Sequence, residues 1–377
     1  MKVALITKAA VYGGLINHLQ LLAIGLKMNN FDVTVITSPS ANLSPLPELL
    51  KKEEIKHHSL LIKNKFDLAG FCKTVQYLKS GCFQILHVHL TNIYSPTLIY
   101  LAGKVAGIKI IITTPHSLFP LKKSNPILEF IQMKYLSHFN SKIIGVCATN
   151  SELLKNKYIS SSKVITIKNG IELNQNKLAA RSSKYDIRKE FSLKDSNQIV
   201  GTVAALTPLK GINYFIKACK EVVKGLPNVV FFVVGDGREM PALQKWTHDS
   251  GLNDHIIFTG FRKDSDILLS QFDLFVLPSL TESVPTTILE AQALKTPVIA
   301  TDVGGVGEII KHNETGLLVP AGDSSKLAEA IMILLHDRKK ATQLAEASLE
   351  LVQKEHNHIR MIQQTCELYS SLANQNN

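Results

Sequence analysis

The chain has 377 residues, too many for one ordinary domain and enough for two of about 150–200 residues each. With 45% hydrophobic and 19% charged residues it can bury two cores, which excludes a disordered chain. The net charge of +11 sits in the first half: residues 1–172 carry 20 lysines against 8 acidic residues, a net of +12, and the rest carries 22 basic against 23 acidic, a net of −1.

In chain order, MKVALITKAAVYGG opens with a strand candidate, Val3–Thr7. Lys8 interrupts the apolar run and Gly13 and Gly14 follow, so the segment reads as a strand and glycine turn rather than a secretory leader. Residues 15–28 then have helical spacing. The pair is not a GxGxxG fingerprint, and no acidic residue follows the second strand as a dinucleotide site would need. Further strands are expected at Asp32–Thr37, Ile85–His89, Ile110–Thr113 and Lys142–Val146. Each is short, β-branched and nearly continuously apolar, as in a parallel sheet covered on both faces.

His87 and His89 flank Val88, and alternation sends both to one face of the sheet. His116 lies just past a strand end in IITTPHSLFP. Phe119 and Leu121 beside Lys122 and Lys123 precede an amphipathic helix and offer a foothold on an anionic membrane. No run approaches about 18 apolar residues, so no spanning helix is expected.

A polar stretch, residues 172–197, reads as a linker followed by a first helix. Strands follow at Ile199–Val203, Val229–Val234, Ile256–Thr259, Leu274–Leu277, Pro297–Thr301 and Leu317–Val319, and residues from about 341 to 372 are helical in pattern. Alternation of strand and helix through both halves implies an α/β chain of two doubly wound domains. Ligands of such sheets sit at the carboxyl ends of the strands. The five cysteines are odd in number and scattered, with no metal-ligand spacing, which suits a reducing compartment.

The strongest motif is LFVLPSLTESVPTTILEAQAL over residues 274–294. A strand ends at Leu277, a loop carries Glu282, and a helix starts near Pro285, a residue pre-set for the first helical turn. The amides around Val284, Thr286 and Thr287 are then the orphan donors of a helix N-terminus, where unsatisfied N–H groups and the dipole favour phosphate. Glu290 follows Glu282 by eight positions. Carboxylates are strong acceptors for sugar and ribose hydroxyls.

This stretch resembles the E-x7-E motif of the retaining glycosyltransferases of family 4, which have the GT-B fold of two Rossmann-like domains facing a central cleft. The resemblance runs through Gly13–Gly14, Asn169–Gly170, Lys210–Gly211, VVGDG at 233–237, TGF at 259–261, DVGGVGEII at 302–310 and GLLVPAGD at 316–323. It implies an N-terminal acceptor-binding domain over residues 1–172, completed by a returning C-terminal helix at about 355–377, and a nucleotide-sugar-binding domain over 173–354. By the same resemblance Glu282, His116 and Lys210 serve catalysis. Gly13, Gly14, Lys210, Arg262, Glu282, Ser283, Val284, Pro285, Thr286, Thr287 and Glu290 bind the donor, and His89 and His116 meet the acceptor. No metal or other cofactor is expected. The expected partners are a nucleotide sugar, a glycan or lipid-linked acceptor and an anionic membrane surface, with no nucleic acid. The expected place is the cytoplasm, on the inner face of the membrane.

One departure stands out. The family pattern G-R-L-x-x-x-K-G has an arginine where this chain has Ala205. Lys8 and Arg262 are the candidates to replace its charge. The alternative reading is a catalytically weak nucleotide-sugar-binding partner subunit.

Overall fold

The structure is a computed structural model, and it describes residues 1–8, 13–37, 46–59, 62, 67–91, 98–117, 126–156, 159–173 and 185–375. The expected membrane foothold at Phe119, Leu121, Lys122 and Lys123 lies outside these residues. The chain divides into two compact units. One is Met1–Glu172 with Asn357–Asn377, and the other is Leu173–His356.

The first unit holds a seven-stranded parallel sheet. In chain order its strands are β1 (Lys2–Thr7), β2 (Asp32–Thr37), β3 (Lys56–Ser59), β4 (Ile85–Leu90), β5 (Ile110–Pro115), β6 (Lys142–Gly145) and β7 (Val164–Thr166). Their order across the sheet is β3-β2-β1-β4-β5-β6-β7. Side chains alternate between two cores. Val3, Leu5, Val33 and Val35 pack on one face with Leu19, Leu22, Leu26 and the C-terminal Met361 and Tyr369. Ala4, Ile6, Ile36, Leu86 and Val88 pack on the other with Leu78, Tyr100 and Met133. Burial on both faces is the physical reason for the continuous apolar runs.

The second unit repeats the plan with six parallel strands: β8 (Gln198–Val203), β9 (Val229–Val234), β10 (Ile256–Gly260), β11 (Leu274–Leu277), β12 (Val298–Thr301) and β13 (Leu317–Val319). Their order is β10-β9-β8-β11-β12-β13. In each sheet the winding reverses beside the first strand, between β1 and β4 and between β8 and β11. The carboxyl ends of those strands are the natural binding edge.

The two sheet-edge strands, β3 and β7, are absent from the sequence reading: KHHS is polar and VIT is only three residues long. The helical pattern of residues 341–372 falls in two helices, Arg338–Glu355 and His358–Asn374. The break falls where Asn357 caps the second helix, its side chain accepting from the Ile359 amide, while Ile171 bridges to Asn357. The helix expected to start near Pro285 is Thr286–Ala293, with Pro285 as its N-cap.

Candidate functional site

Two polar constellations stand at the binding edges, one in each unit. In the second unit the loops after β8, β9 and β11 converge. Gly211, at φ +62, begins the helix Ile212–Gly225, and a Cβ there would lie 2.1 Å from the Pro278 carbonyl oxygen. Only glycine lets these two backbones meet. Gly235 plays the same part between β9 and β8, with φ +133 and a Cβ position 1.9 Å from the Ala204 carbonyl. The Leu280 amide donates to the Leu209 carbonyl at 2.8 Å, and Thr301 Oγ1 donates to the Ser279 carbonyl at 2.5 Å.

These contacts bring together two residues 72 positions apart. Lys210 Nζ donates to Glu282 Oε1 at 2.5 Å, and Ser279 Oγ donates to the same oxygen at 2.7 Å. Glu282 is nearly buried, 9% exposed, whereas Lys210 keeps 27% of its side chain in solvent. The pair lies beside the start of the helix Thr286–Ala293, whose N-cap, Pro285, supplies no side-chain acceptor. The first-turn amides are therefore available to an anion. Ser283 and Thr281 carry buried hydroxyls with no hydrogen-bond partner, and Val284 is buried between them and the helix.

Glu290, one turn into that helix, is partly buried. Burial, and secondarily the charge of Asp266, raises its pKa from 4.5 to about 7, against an opposing hydrogen bond with Thr286. Among the described residues, then, the second unit combines a shielded carboxylate–ammonium pair, an uncapped helix start and a carboxyl group poised near neutrality. Such a set suits a diphosphate flanked by hydroxyl-rich groups.

In the first unit four histidines gather at the carboxyl ends of β1, β4 and β5. His89 follows Val88 on β4, in register with Thr7 and Thr114. His87 is a satisfied core histidine: Tyr369 Oη lies 2.6 Å from Nδ1 and Thr114 Oγ1 2.8 Å from Nε2. His89 has no accessible surface, and its Nδ1 is 3.4 Å from Nε2 of the partly exposed His116. His18, on the helix Gly14–Met28, closes the group, its ring centroid 4.7 Å from that of His116. Burial keeps all four rings neutral, with pKa values of about 4 for His18 and about 3 for His87 and well below the usual range for His89 and His116.

Comparisons with known proteins identify the family. Residues 12–175 match the family described as Glycosyltransferase Family 4, and residues 183–350 match Glycosyl transferases group 1. The chain is a family 4-like glycosyltransferase.

This glycosyltransferase is 28% identical over 281 residues to the UDP-Gal:alpha-D-GlcNAc-diphosphoundecaprenol alpha-1,3-galactosyltransferase of Escherichia coli, covering 72% of this chain and 71% of that protein. It is 27% identical to the phosphatidyl-myo-inositol mannosyltransferase of Mycobacterium leprae, over 91% of this chain and 89% of the other. The crystal structure of Anabaena HepE in complex with UDP and glucose superposes with a TM-score of 0.85 at 21% identity, covering 98% of this chain and all of that one. The GT-B fold follows from these likenesses.

The structure of the glycosyltransferase separates the expected site residues into groups. Lys210, Glu282, Ser283, Val284, Pro285, Thr286, Thr287 and Glu290 share one edge of the second unit. His89 and His116 share one edge of the first, with Gly13 at the start of the nearby helix, but His89 stands behind its neighbours and is not open to an acceptor. An added Cβ at Gly13 meets nothing within 4 Å, and its φ of 169 is extended backbone open to any residue. Glycine there leaves space rather than meeting a backbone demand.

Arg262 is a correction. Its guanidinium is clamped by Asp264, at 2.8 Å through Nε and again through Nη2, and by Glu190 at 2.5 Å. Two carboxylates already neutralise it, so it does not replace the charge absent at Ala205. Lys8 is half-buried, and burial lowers its pKa despite Asp67. Ala205 itself is exposed.

Sequence reasoning missed His18 and Ser279. His18 sits four positions after Gly14 on a core-facing helix, where one polar residue in an apolar stripe is the only signal. Ser279, three residues before Glu282, has none beyond its loop.

Proposed function

We propose that the chain moves a sugar from a nucleoside-diphosphate sugar to a hydroxyl of a glycan or lipid-linked acceptor, with retention of anomeric configuration and no required metal. The observation that carries this reading is the Lys210–Glu282 pair beside the open start of the helix Thr286–Ala293. Lys210 and the helix amides neutralise the departing diphosphate, an oxyanion-type role in which fixed donors meet developing charge. Glu282 Oε1 is held by Lys210 and Ser279, while Oε2 accepts from no described residue and is left to orient a hydroxyl of the transferred sugar. Glu290 accepts from the ribose, and Gly13 and Gly14 give the donor room. His116, the exposed edge of the histidine group, meets the acceptor in the first unit.

The activities for which the relatives are named support this choice of substrates. The Escherichia coli protein uses UDP-Gal and a diphosphoundecaprenol acceptor, and the Mycobacterium leprae protein acts on phosphatidyl-myo-inositol. A peripheral place on the inner membrane face follows from the +12 charge of residues 1–172, since each lysine near an anionic surface contributes about 1 kcal/mol. No helix among the described residues is long and apolar enough to cross a membrane.

A panel of UDP- and GDP-sugars screened by thermal shift, then incubated with lipid-linked acceptors, tests the reading. One donor should stabilise the protein well above the others, and the product linkage should keep the donor's anomeric configuration. Inverted product, or no stabilising donor, would overturn it. A second reading, a nucleotide-sugar-binding partner subunit, is favoured by Ala205 alone. It requires a stabilising donor with neither transfer nor hydrolysis.

A further inference from the structure

The histidine group of the first unit contains more than an acceptor contact. One nitrogen each of His18, His89 and His116 lies within 4.8 Å of the others. The 3.4 Å between His89 Nδ1 and His116 Nε2 is long for a hydrogen bond, whose usual length is about 2.9 Å. It is close to the roughly 3.3 Å that separates two nitrogens on a tetrahedral metal with bonds of about 2.0–2.1 Å. His18 packs at 75° to His116 and 55° to His89, so three rings converge from three elements: a helix, a strand and a strand end.

His18 Nδ1 is buried with no hydrogen-bond partner. A buried polar atom left without a partner is destabilising, so this atom points to a missing ligand. His87 does not join the three, because Tyr369 and Thr114 already engage both of its nitrogens. Instead it packs behind His89, with ring centroids 4.1 Å apart, and limits that ring's movement. The group contains no carboxylate. An all-imidazole set selects borderline ions such as zinc, nickel or copper over magnesium, calcium or manganese, which favour oxygen.

We propose that His18, His89 and His116 form a three-nitrogen site for a divalent transition metal, with Zn2+ as the leading occupant and a fourth position open to a small ligand. Only residues of the first unit are involved, so the inference stands whether or not the donor reading holds. Because the ion would hold His116, which the proposed function assigns to the acceptor, its binding should compete with the acceptor rather than be required for transfer.

The test uses the full chain, stripped with chelator and titrated with Zn2+ and with Co2+ as a spectroscopic stand-in. One equivalent should bind, and Co2+ should develop the strong visible absorption of a four-coordinate site. X-ray absorption of the zinc form of the unaltered protein should show a nitrogen and oxygen shell at about 2.0–2.1 Å with imidazole scattering. His116 is partly exposed, so His116→Gln is the milder variant; it should lower zinc affinity at least about tenfold. The exposed His248 serves as control, and His248→Gln should change nothing. Cys72 and Cys82 are exposed thiols and the competing site. A sulfur shell at about 2.3 Å, no stoichiometric binding, or unchanged affinity in His116→Gln would each overturn the proposal.

Discussion

Lowering the pH from 8 to 6 should weaken nucleotide-sugar binding about tenfold, through Glu290. Its pKa of about 7 in the ligand-free chain comes from burial and from Asp266 nearby. A ribose hydroxyl donates to a carboxylate far better than to a neutral acid. If binding selects the ionised form, the apparent dissociation constant scales with one plus the proton-to-carboxylate ratio. That factor is about 1.1 at pH 8 and about 11 at pH 6, a difference of about 1.4 kcal/mol. A nucleotide sugar is the right probe, because its diphosphate is capped by the sugar and does not titrate in this window. The four clustered histidines stay neutral throughout it. Calorimetry at half-unit steps from pH 5.5 to 8.5 should give the curve for the native chain and a flat line for Glu290→Gln. Equal affinity at pH 6 and 8 in the native chain, or the same slope in the variant, would refute the reasoning. Stability provides an independent check of sign. The folded chain holds this proton more tightly than the unfolded chain, whose value is near 4.5. Ionisation therefore costs stability, increasingly from about pH 4.5 to 7 and constantly above, and Glu290→Gln should gain on the native chain over that interval.

Glu282→Gln should lower kcat more than it weakens binding of the free nucleoside diphosphate, and equal losses in both would move Glu282 to the nucleotide. Ala205→Arg should tighten nucleoside diphosphate binding by about 1.5–3 kcal/mol through a charged hydrogen bond, since the position is exposed and the nearest arginine candidate is already clamped. Weaker binding in calorimetry would show the space to be occupied. Gly211→Ala should lower stability by at least about 1–2 kcal/mol in denaturant unfolding and reduce turnover, because a Cβ 2.1 Å from the Pro278 carbonyl separates the loops that hold Lys210 and Glu282. Vesicle co-sedimentation should show salt-sensitive binding to anionic bilayers only, and equal partitioning to neutral ones would remove the membrane from the proposal.

The buried strands were legible because parallel sheets covered on both faces leave unbroken apolar runs. Edge strands leave no such trace, and β3, with the sequence KHHS, carries more polar than apolar character. The break between the last two helices falls at His356 and Asn357, where the capping asparagine is a usable signal. At the donor edge the spacing of Glu282 and Glu290 and the helix start could be read from one local motif. The ion pair between Lys210 and Glu282 could not, since it depends on how two strands pair and where Gly211 lets the loops touch. Arg262 shows the reverse error. A cation in the right stretch of chain looks available until its partners, one of them 72 residues away, are placed around it.

The final 17-residue helix, His358–Asn374, belongs to the core of the first unit. It lies so close to the helix Gly14–Met28 that a Cβ at Gly25 would fall 2.2 Å from Ile362. Tyr369 also carries the hydroxyl that holds His87. During synthesis the first unit therefore emerges early but lacks one wall of its core until this helix has left the ribosome. The second unit is continuous and has no such wait. The unit made second is the one able to finish first, and the apolar face of the other must be shielded meanwhile.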